Sequence, residues 1–312
     1  MQAAVGIQAL PSQAPPAVLL KVTGIGYTAL PLKVWLREEQ AMACPRCGSD
    51  EGRKNGKDRR GLQVYACRAC SRSFTALTGT PFAHHGFLPE IIALAVRWYL
   101  RYRLSYADLA ELLAERGVEV HRSTIYLWVQ RFTPLYHQTA RPSRHTVGTI
   151  WHTDETYVKV GRRWRYVYRA VDEQGQVVDV YVSERRDTEA AVAFFRQALQ
   201  STDGCPQVVT TDKAAAYPPA LAQVLPNVIH LAGKWEQQTI ERDHQHLKGR
   251  IRCMRSFKTD PTAQVVCAGH SFMRNLQQGF YYLGSADDRS DSRHVPRLMQ
   301  VWNQLTTQLL TA

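Results

Sequence analysis

Cys44, Cys47, Cys67 and Cys70 form two C-x-x-C pairs with 19 residues between them. Nothing else in the chain limits so tightly what a segment can become. Each pair fits a tight turn that aims two thiolates at one point, and two such knuckles make a tetrahedral sulfur site suited to zinc. Between them, Gly52-Arg-Lys-Asn-Gly-Lys-Asp-Arg-Arg-Gly61 and Leu62-Gln-Val-Tyr65 read as a basic hairpin returning to the second knuckle. So small a core does not order itself without a metal. The expectation is a zinc ribbon over residues 41–80 holding one structural Zn2+. Residues 44–72 carry eight Arg/Lys against three Asp/Glu, which suits a DNA backbone. The other three cysteines, Cys205, Cys253 and Cys267, read as free buried thiols. An odd count of seven argues against a disulfide framework.

Charge and length set the wider frame. The chain has 312 residues, enough for two or three modules. Its 45% hydrophobic and 21% charged residues exclude wholesale disorder. No apolar run approaches a membrane span, and the opening Met-Gln-Ala-Ala lacks the basic start of a secretory leader. A cytoplasmic, nucleoid-associated protein with no membrane partner is expected. The net charge is +12, and up to residue 148 there are 19 basic but only ten acidic residues. A basic front half is the footprint of something that sits on phosphate.

Residues 1–40, rich in Ala, Pro, Leu and Val, read as an N-terminal arm with a short strand at Ala17–Val22. From Leu88 to Phe132 the pattern is helical. Ser105-Tyr-Ala-Asp108 has capping-box spacing, Leu109, Leu112 and Leu113 form an apolar stripe, and Gly117 ends the helix. Ser123 then caps a second helix, Thr124–Phe132. This is a helix-turn-helix pattern, assigned to residues 86–134. Its second helix offers Arg122, Thr124, Tyr126, Gln130 and Arg131 to DNA, some for phosphates and some for base edges. A polar, Pro-containing linker is expected at 135–148.

Beyond Gly148 strands dominate: Thr149–Lys159, Trp164–Asp172 and Val177–Glu184, with Glu173-Gln-Gly175 as a hairpin turn. A helix at Thr188–Gln200, a strand at Gln207–Thr211, a helix at Ala214–Val224 and a strand at Asn227–His230 follow. A helical stretch then runs from Gln238 through Phe280. This order is that of a ribonuclease-H-like domain with a mixed five-stranded sheet, placed at 149–285, with a C-terminal helical extension at 286–312. Asp154 lies within the first strand, Asp212 at the tip of the fourth and Glu241 near the start of a helix. Hard carboxylate oxygens suit Mg2+ or Mn2+. Three of them from separate elements can share two ions for an in-line displacement at phosphorus. Alternation along the strand points Glu155 to the opposite face, which favours Asp154. Lys248 lies two helical turns after Glu241, and His244 shares that face. With Arg250, Arg252 and Arg255 they make a basic helix suited to DNA.

These motifs, taken in order, resemble the DDE transposases of bacterial and archaeal insertion sequences, most closely the insertion-sequence-six family. The resemblance runs through Ala95-Val-Arg-Trp-Tyr-Leu-Arg101, Leu104-Ser-Tyr-Ala-Asp-Leu109, Ser123-Thr-Ile-Tyr126, Asp154-Glu-Thr-Tyr-Val-Lys159, Tyr168-Arg-Ala-Val-Asp172, Thr211-Asp-Lys213 with Ala216-Tyr217, and Ile240-Glu241-Arg-Asp-His244 to Leu247-Lys248. It carries the acid triad onto Asp154, Asp212 and Glu241 and the helix's basic residue onto Lys248. Lys213 and Lys234 join the DNA-contacting set by the same route. The chain departs from the family in a shorter interval, 28 residues, between Asp212 and Glu241. It departs also in having Gln237-Gln238 where a paired Asn is usual, and in the added ribbon and arm. What the resemblance implies is a transposase that binds the terminal inverted repeats of its own element as double-stranded DNA. It would cleave to free a 3′-OH with two Mg2+ per active site, and join that end to target DNA as a homodimer or higher assembly; the rival readings are a domesticated, non-catalytic DNA-binding regulator and a structure-specific nuclease of the same fold. The expected fold class is multidomain α+β: ribbon, helix-turn-helix bundle and RNase H-like catalytic domain.

Overall fold

The computed structural model describes residues 43–233, 238–254, 257–283 and 294–311. The arm with its short strand, Lys234, Arg255 and the side chain of Glu241 lie outside the described residues.

The first module is a three-stranded antiparallel sheet of β1 (Gly52–Lys57), β2 (Gln63–Cys67) and β3 (Ser73–Phe74). Asp58 closes the β1–β2 hairpin, its Oδ1 accepting from the amides of Arg60 (2.8 Å) and Leu62 (3.0 Å). The apolar core of the sheet amounts to Cys44, Cys67 and Phe74, with Tyr65 and Cys70 packed against it.

Three helices follow: α1 (Pro89–Arg101), α2 (Tyr106–Ala114) and α3 (Arg122–Ala140). The capping box is present at α2, where Ser105 Oγ accepts from Asp108 N and Asp108 Oδ2 accepts from Ser105 N. Gly117 turns the chain at φ +75°. At α3 the structure departs from expectation. His121, not Ser123, is the N-cap, its Nδ1 accepting from the Ser123 amide. The helix also runs past Phe132 and through Pro134 to Ala140 before a 3-10 turn at Arg141–Ser143, so most of the linker expected at 135–148 is helix. Tertiary packing decides this. Tyr136 and Ala140 are wholly buried; the Tyr136 ring stacks on Trp302 at 4.2 Å, and its hydroxyl meets Thr306 Oγ1 at 2.8 Å.

The larger sheet has the order β6-β5-β4-β7-β8, built from β4 (Ile150–Val160), β5 (Arg163–Asp172), β6 (Val177–Ser183), β7 (Val208–Thr211) and β8 (Ile229–Ala232). The first three form an antiparallel meander, while β7 runs parallel to β4 and to β8. It is thus the mixed five-stranded sheet read from the sequence. Helices α4 (Thr188–Ser201) and α5 (Tyr217–Val224) cover one face over Trp151, Tyr168 and Val209. The other face packs on α6 (Gln238–Ile251) and α7 (Asp260–Gln278). The helical stretch expected from Gln238 to Phe280 is therefore interrupted. After α6 and a 3-10 turn at Arg252–Met254, Phe257 bridges Val160 of β4, and Thr259 caps α7.

Two α7 amides dock on the outer strand β6. Asn275 exchanges two 2.8 Å bonds with the backbone of Val177; Gln264 accepts from Val182 N (2.7 Å) and donates to Val180 O (2.9 Å). They satisfy polar groups that an open sheet edge leaves unpaired. Helix α8 (His294–Thr311) supplies the C-terminal helix and buries Trp302, Leu305 and Leu309. Helices α1–α3, α7 and α8 and the sheet face of Val158, Val160 and Val167 share one hydrophobic core, so the three-helix unit is not tethered apart. Cys205 is exposed, unlike the buried thiol expected, whereas Cys267 is buried as expected. No helix among the described residues is long and apolar enough to cross a membrane.

Candidate active site beside the end of β7

Strand β7 pairs with β4 only over Ile150–His152, so Asp154 and Glu155 lie just beyond its end, where Asp212 follows β7 directly. Carboxylate oxygens of Asp154, Glu155 and Asp212 lie within 4.8 Å of one another. That is close enough for one hard cation to be shared among them. Asp154 and Asp212 therefore converge as expected.

Glu155 corrects the sequence reading. It does point to the α5 side, opposite Tyr168 in the β4–β5 register, yet its side chain curls round the short end of β7 into the same cluster. It is nearly buried. It accepts from the Tyr217 hydroxyl and from Arg186 Nε, while Arg186 Nη2 donates to Asp212 Oδ2 at 3.2 Å. Arg186, just before α4, thus ties Glu155 to Asp212. The sequence offered little to find it beyond an arginine following a strand. Arg169, wholly buried on β5 directly across from Asp154, escaped notice in the same way.

Burial raises the Asp154 carboxyl to about 7, helped by the charges of Glu155 and Asp212 and opposed by the Glu155 amide and by Arg186. On the other side of Asp154, His244 of α6 is buried with Nδ1 at 3.6 Å from Asp154 Oδ2. Its helix therefore carries Glu241 to this end of the sheet. Asp212 Oδ1 also accepts from Ala214 N at 2.9 Å, which fixes the turn after β7. Lys213, Lys248 and Arg252 are exposed nearby in sequence.

Helix α3 sorts its expected DNA-contacting residues into two groups. Arg122 and Arg131 are exposed and Thr124 is half-buried. Tyr126 turns inward instead, its ring edge on Tyr106 and its hydroxyl 3.2 Å from Thr262 Oγ1. Gln130 is half-buried beside it. Those two pack the helix rather than present it. Leu127, absent from the expected set, is 62% exposed and stands on the outward side with Arg131.

The four expected thiols also meet, with Sγ atoms of Cys44 and Cys70 at 3.7 Å and of Cys47 and Cys67 at 3.6 Å. Backbone amides of Arg46 and Cys47 lower Cys44 to about 6. The Ser49 amide favours the Cys47 thiolate, but the thiols around it, Cys67 foremost, push Cys47 up to about 12. Four crowded sulfurs do not all ionise without a cation to neutralise them.

The DDE domain of IS240-type transposases matches residues 148–280, the span of the larger sheet through α7. The transposase for insertion sequence-like element IS431mec of Staphylococcus aureus is 38% identical over 183 residues, covering 57% of this chain and 81% of that protein. This chain belongs to the insertion-sequence-six family of DDE transposases. Its class of chemistry is metal-dependent DNA cleavage and strand transfer. The Staphylococcus aureus transposase for IS257 in transposon Tn4003 is 37% identical over the same shares. Among solved structures, the HTLV-2 integrase catalytic core in complex with magnesium is similar over 46% of this chain and 94% of its own, at 15% identity and a TM-score of 0.33. The BIV integrase core is similar over 51% and 98%, also at 15% and 0.33. Likeness that loose assigns no residue a role.

Proposed function

We propose that this DDE transposase binds the terminal inverted repeats of its own insertion sequence, cleaves there to free a 3′-OH, and joins that end to target DNA. The observation that carries the reading is the meeting of Asp154, within β4, and Asp212, just past the end of its parallel neighbour β7, beside the helix that bears Glu241. These three carboxylates form the catalytic set and hold Mg2+ or Mn2+, two ions per site. When bound, such ions activate the attacking oxygen and offset charge on the leaving one. Glu155 and Arg186 hold Asp212 in place, and His244 flanks Asp154 within reach of substrate. Lys213, Lys234, Lys248 and Arg252 attract the phosphate backbone around the reacting bond.

Thr124, Leu127 and Arg131 form one outward face of α3, with Arg122 at the helix start, and enter the major groove, Leu127 supplying an apolar contact such as a thymine methyl accepts. The three helices thus act as a helix-turn-helix unit, and the catalytic sheet with its helices is RNase H-like. Cys44, Cys47, Cys67 and Cys70 hold one structural Zn2+, making β1–β3 a zinc ribbon whose arginines and lysines add backbone contact. Two ends are paired by a homodimer or higher assembly.

The test is to incubate the purified protein and its Asp212→Ala variant with labelled DNA from both flanks of the gene and Mg2+. Cleavage at an inverted repeat plus a slower-migrating joined product, both lost in the variant, is the expected result. Equal binding by both proteins with no cut strand would sink the catalytic reading and leave a DNA-binding regulator.

A further inference from the structure

The β4–β5 hairpin carries an aromatic cluster that neither large core absorbs. Tyr157 is 55% exposed and Trp164 63% exposed, yet their rings meet edge to face with centroids 6.4 Å apart. Tyr157 meets the half-buried Tyr166 in the same way at 6.2 Å. Single exposed apolar residues are ordinary on a surface, whereas a contiguous aromatic patch marks a place for a ligand. The register explains the grouping. Tyr157 stands opposite Tyr166 and Lys159 opposite Trp164, so all four share one face of the sheet, the one that bears Glu155. Helices α4 and α5 cover that face as far as Tyr166; beyond it Tyr157, Lys159 and Trp164 are exposed. The hairpin itself is anchored. Gly161, at φ +60° in its turn, donates its amide to Phe257 O at 2.6 Å, and Val160 bridges Phe257. The rings therefore sit on rigid strands before any ligand arrives, which lowers the ordering cost of binding.

Charge says which ligand fits. Lys159, Arg162 and Arg163 of the hairpin, and Lys258 beside Gly161, are exposed, and among the described residues none of them meets an acid. The acids of the neighbouring β6–α4 segment are answered already: Glu184 by Arg165 at 2.6 Å and Glu189 by Arg185 at 3.5 Å, while Asp187 caps α4. Aromatic faces set among cations suit unpaired bases, which stack on the rings while their phosphates follow the basic side chains. Inside a duplex those base faces are hidden in the stack, so such a surface selects an open strand. Its position is apt. At about 3.4 Å per residue, Tyr157 lies about 7 Å along β4 from Glu155 of the acidic cluster, and Lys159, with Trp164 across from it, about 14 Å. Stacked nucleotides rise by about 3.4 Å each, so these spans correspond to about two and about four nucleotides. We propose that Tyr157 and Trp164 form a stacking platform for DNA bases left unpaired within about four nucleotides of the bond being cut. The inference rests on the DNA-cleavage reading above and adds to it a strand opened beside the acids, distinct from the duplex contacts given to α3.

The test uses the full chain, without added Mg2+, and two flank DNAs of one sequence: a blunt duplex and a forked one with about four unpaired bases at the cut end. The fluorescent base 2-aminopurine, quenched by stacking, replaces one unpaired base. Wild-type protein is expected to quench it on binding. In Tyr157→Ala/Trp164→Ala the quench is lost and forked-DNA affinity falls at least about fivefold, while blunt-duplex affinity, and with it the fold, is kept. Tyr157→Phe/Trp164→Phe retains the quench, since a ring remains to stack on. An unquenched probe in the bound wild-type protein overturns the platform, as does an Ala pair with wild-type affinity for the fork. Should the Ala pair lose both DNAs alike, the single Trp164→Leu, at an exposed position, repeats the comparison with the same two outcomes. Wild-type fork binding by the Ala pair together with lost self-association on gel filtration makes this face a contact between copies and overturns the proposal. If the wild-type protein binds neither DNA, the reading above fails and the platform with it.

Discussion

At Asp154 four influences meet: burial, the Glu155 amide, the neighbouring carboxylates of Glu155 and Asp212, and the Arg186 guanidinium that ties those two together. The result, a carboxyl held near 7 against an ordinary value of 3.8, has a definite sign. Below about 7 the carboxyl keeps its proton, and a divalent cation must displace it. Above that pH the cation meets an open ligand. Without metal the linkage runs the other way, since stability from this group is fully present below about 3.8 and is lost as pH rises towards about 7. The expected outcome is a thermal stabilisation by Mn2+ that is larger at pH 8 than at pH 6, and flatter with pH in Asp154→Asn. An equal shift at both pH values in the wild-type protein would refute the assignment. Asp154 and Asp212 were legible in the sequence because each stands at a recognisable strand position. Glu155 was set aside on strand alternation, which fixes the direction of Cβ but not where a longer side chain ends beside a short neighbouring strand.

Helices were legible where their determinants are local and were not where packing partners are distant. The capping box at Ser105 and Asp108 and the turn at Gly117 stood as the sequence implied. The stretch from residue 135 was read as a linker, yet α3 runs through Pro134 to Ala140, because Tyr136 is held by Trp302 and Thr306 of α8, far along the chain. Gly269 shows how closely these helices approach. A Cβ there would lie 2.4 Å from the Thr133 methyl and 2.8 Å from Leu100 Cδ2, so the glycine lets α7 settle against α3 and α1. Overpacking in such a place costs about 1–3 kcal/mol, offset by up to ~1 kcal/mol of helix propensity gained from Ala. Gly269→Ala should therefore lower stability by about 1–2 kcal/mol in denaturant unfolding. A neutral or stabilising effect would mean that Thr133 and Leu100 yield freely. Because this contact joins α1 and α3, the helices proposed to read DNA, to α7 on the sheet, the variant should also reduce end cleavage more than end binding.

Across the whole molecule, helices α1–α3, read as a separate module, share one hydrophobic core with α7, α8 and one face of the larger sheet. Periodicity marks which residues are buried but not against what, so the docking of these helices was not legible. The β1–β3 sheet differs in kind. Its own apolar core is three buried residues, far too few to order it. It leans on the body through Leu62, the Arg60 bond to His85 O (2.7 Å) and the segment whose Phe82 stacks on Phe132 at 4.7 Å. The zinc ion proposed for the thiol cluster would supply what the core lacks, with apparent binding free energies of about 10–16 kcal/mol known for small structural sites. Removing it with a strong chelator should release one zinc per chain and make residues 43–74 sensitive to protease. The helical circular dichroism should persist, since Leu77 and Phe82 remain in the main core. Cys47→Ser should do the same without chelator. A protein that carries no zinc when purified, or a ribbon that stays protected after chelation, would show that the sheet is held by its body contacts alone. Loss of the whole helical signal on chelation would instead make Leu62 and the Arg60 tether part of the body's own stability, merging what the sequence reads as two modules into one cooperative unit.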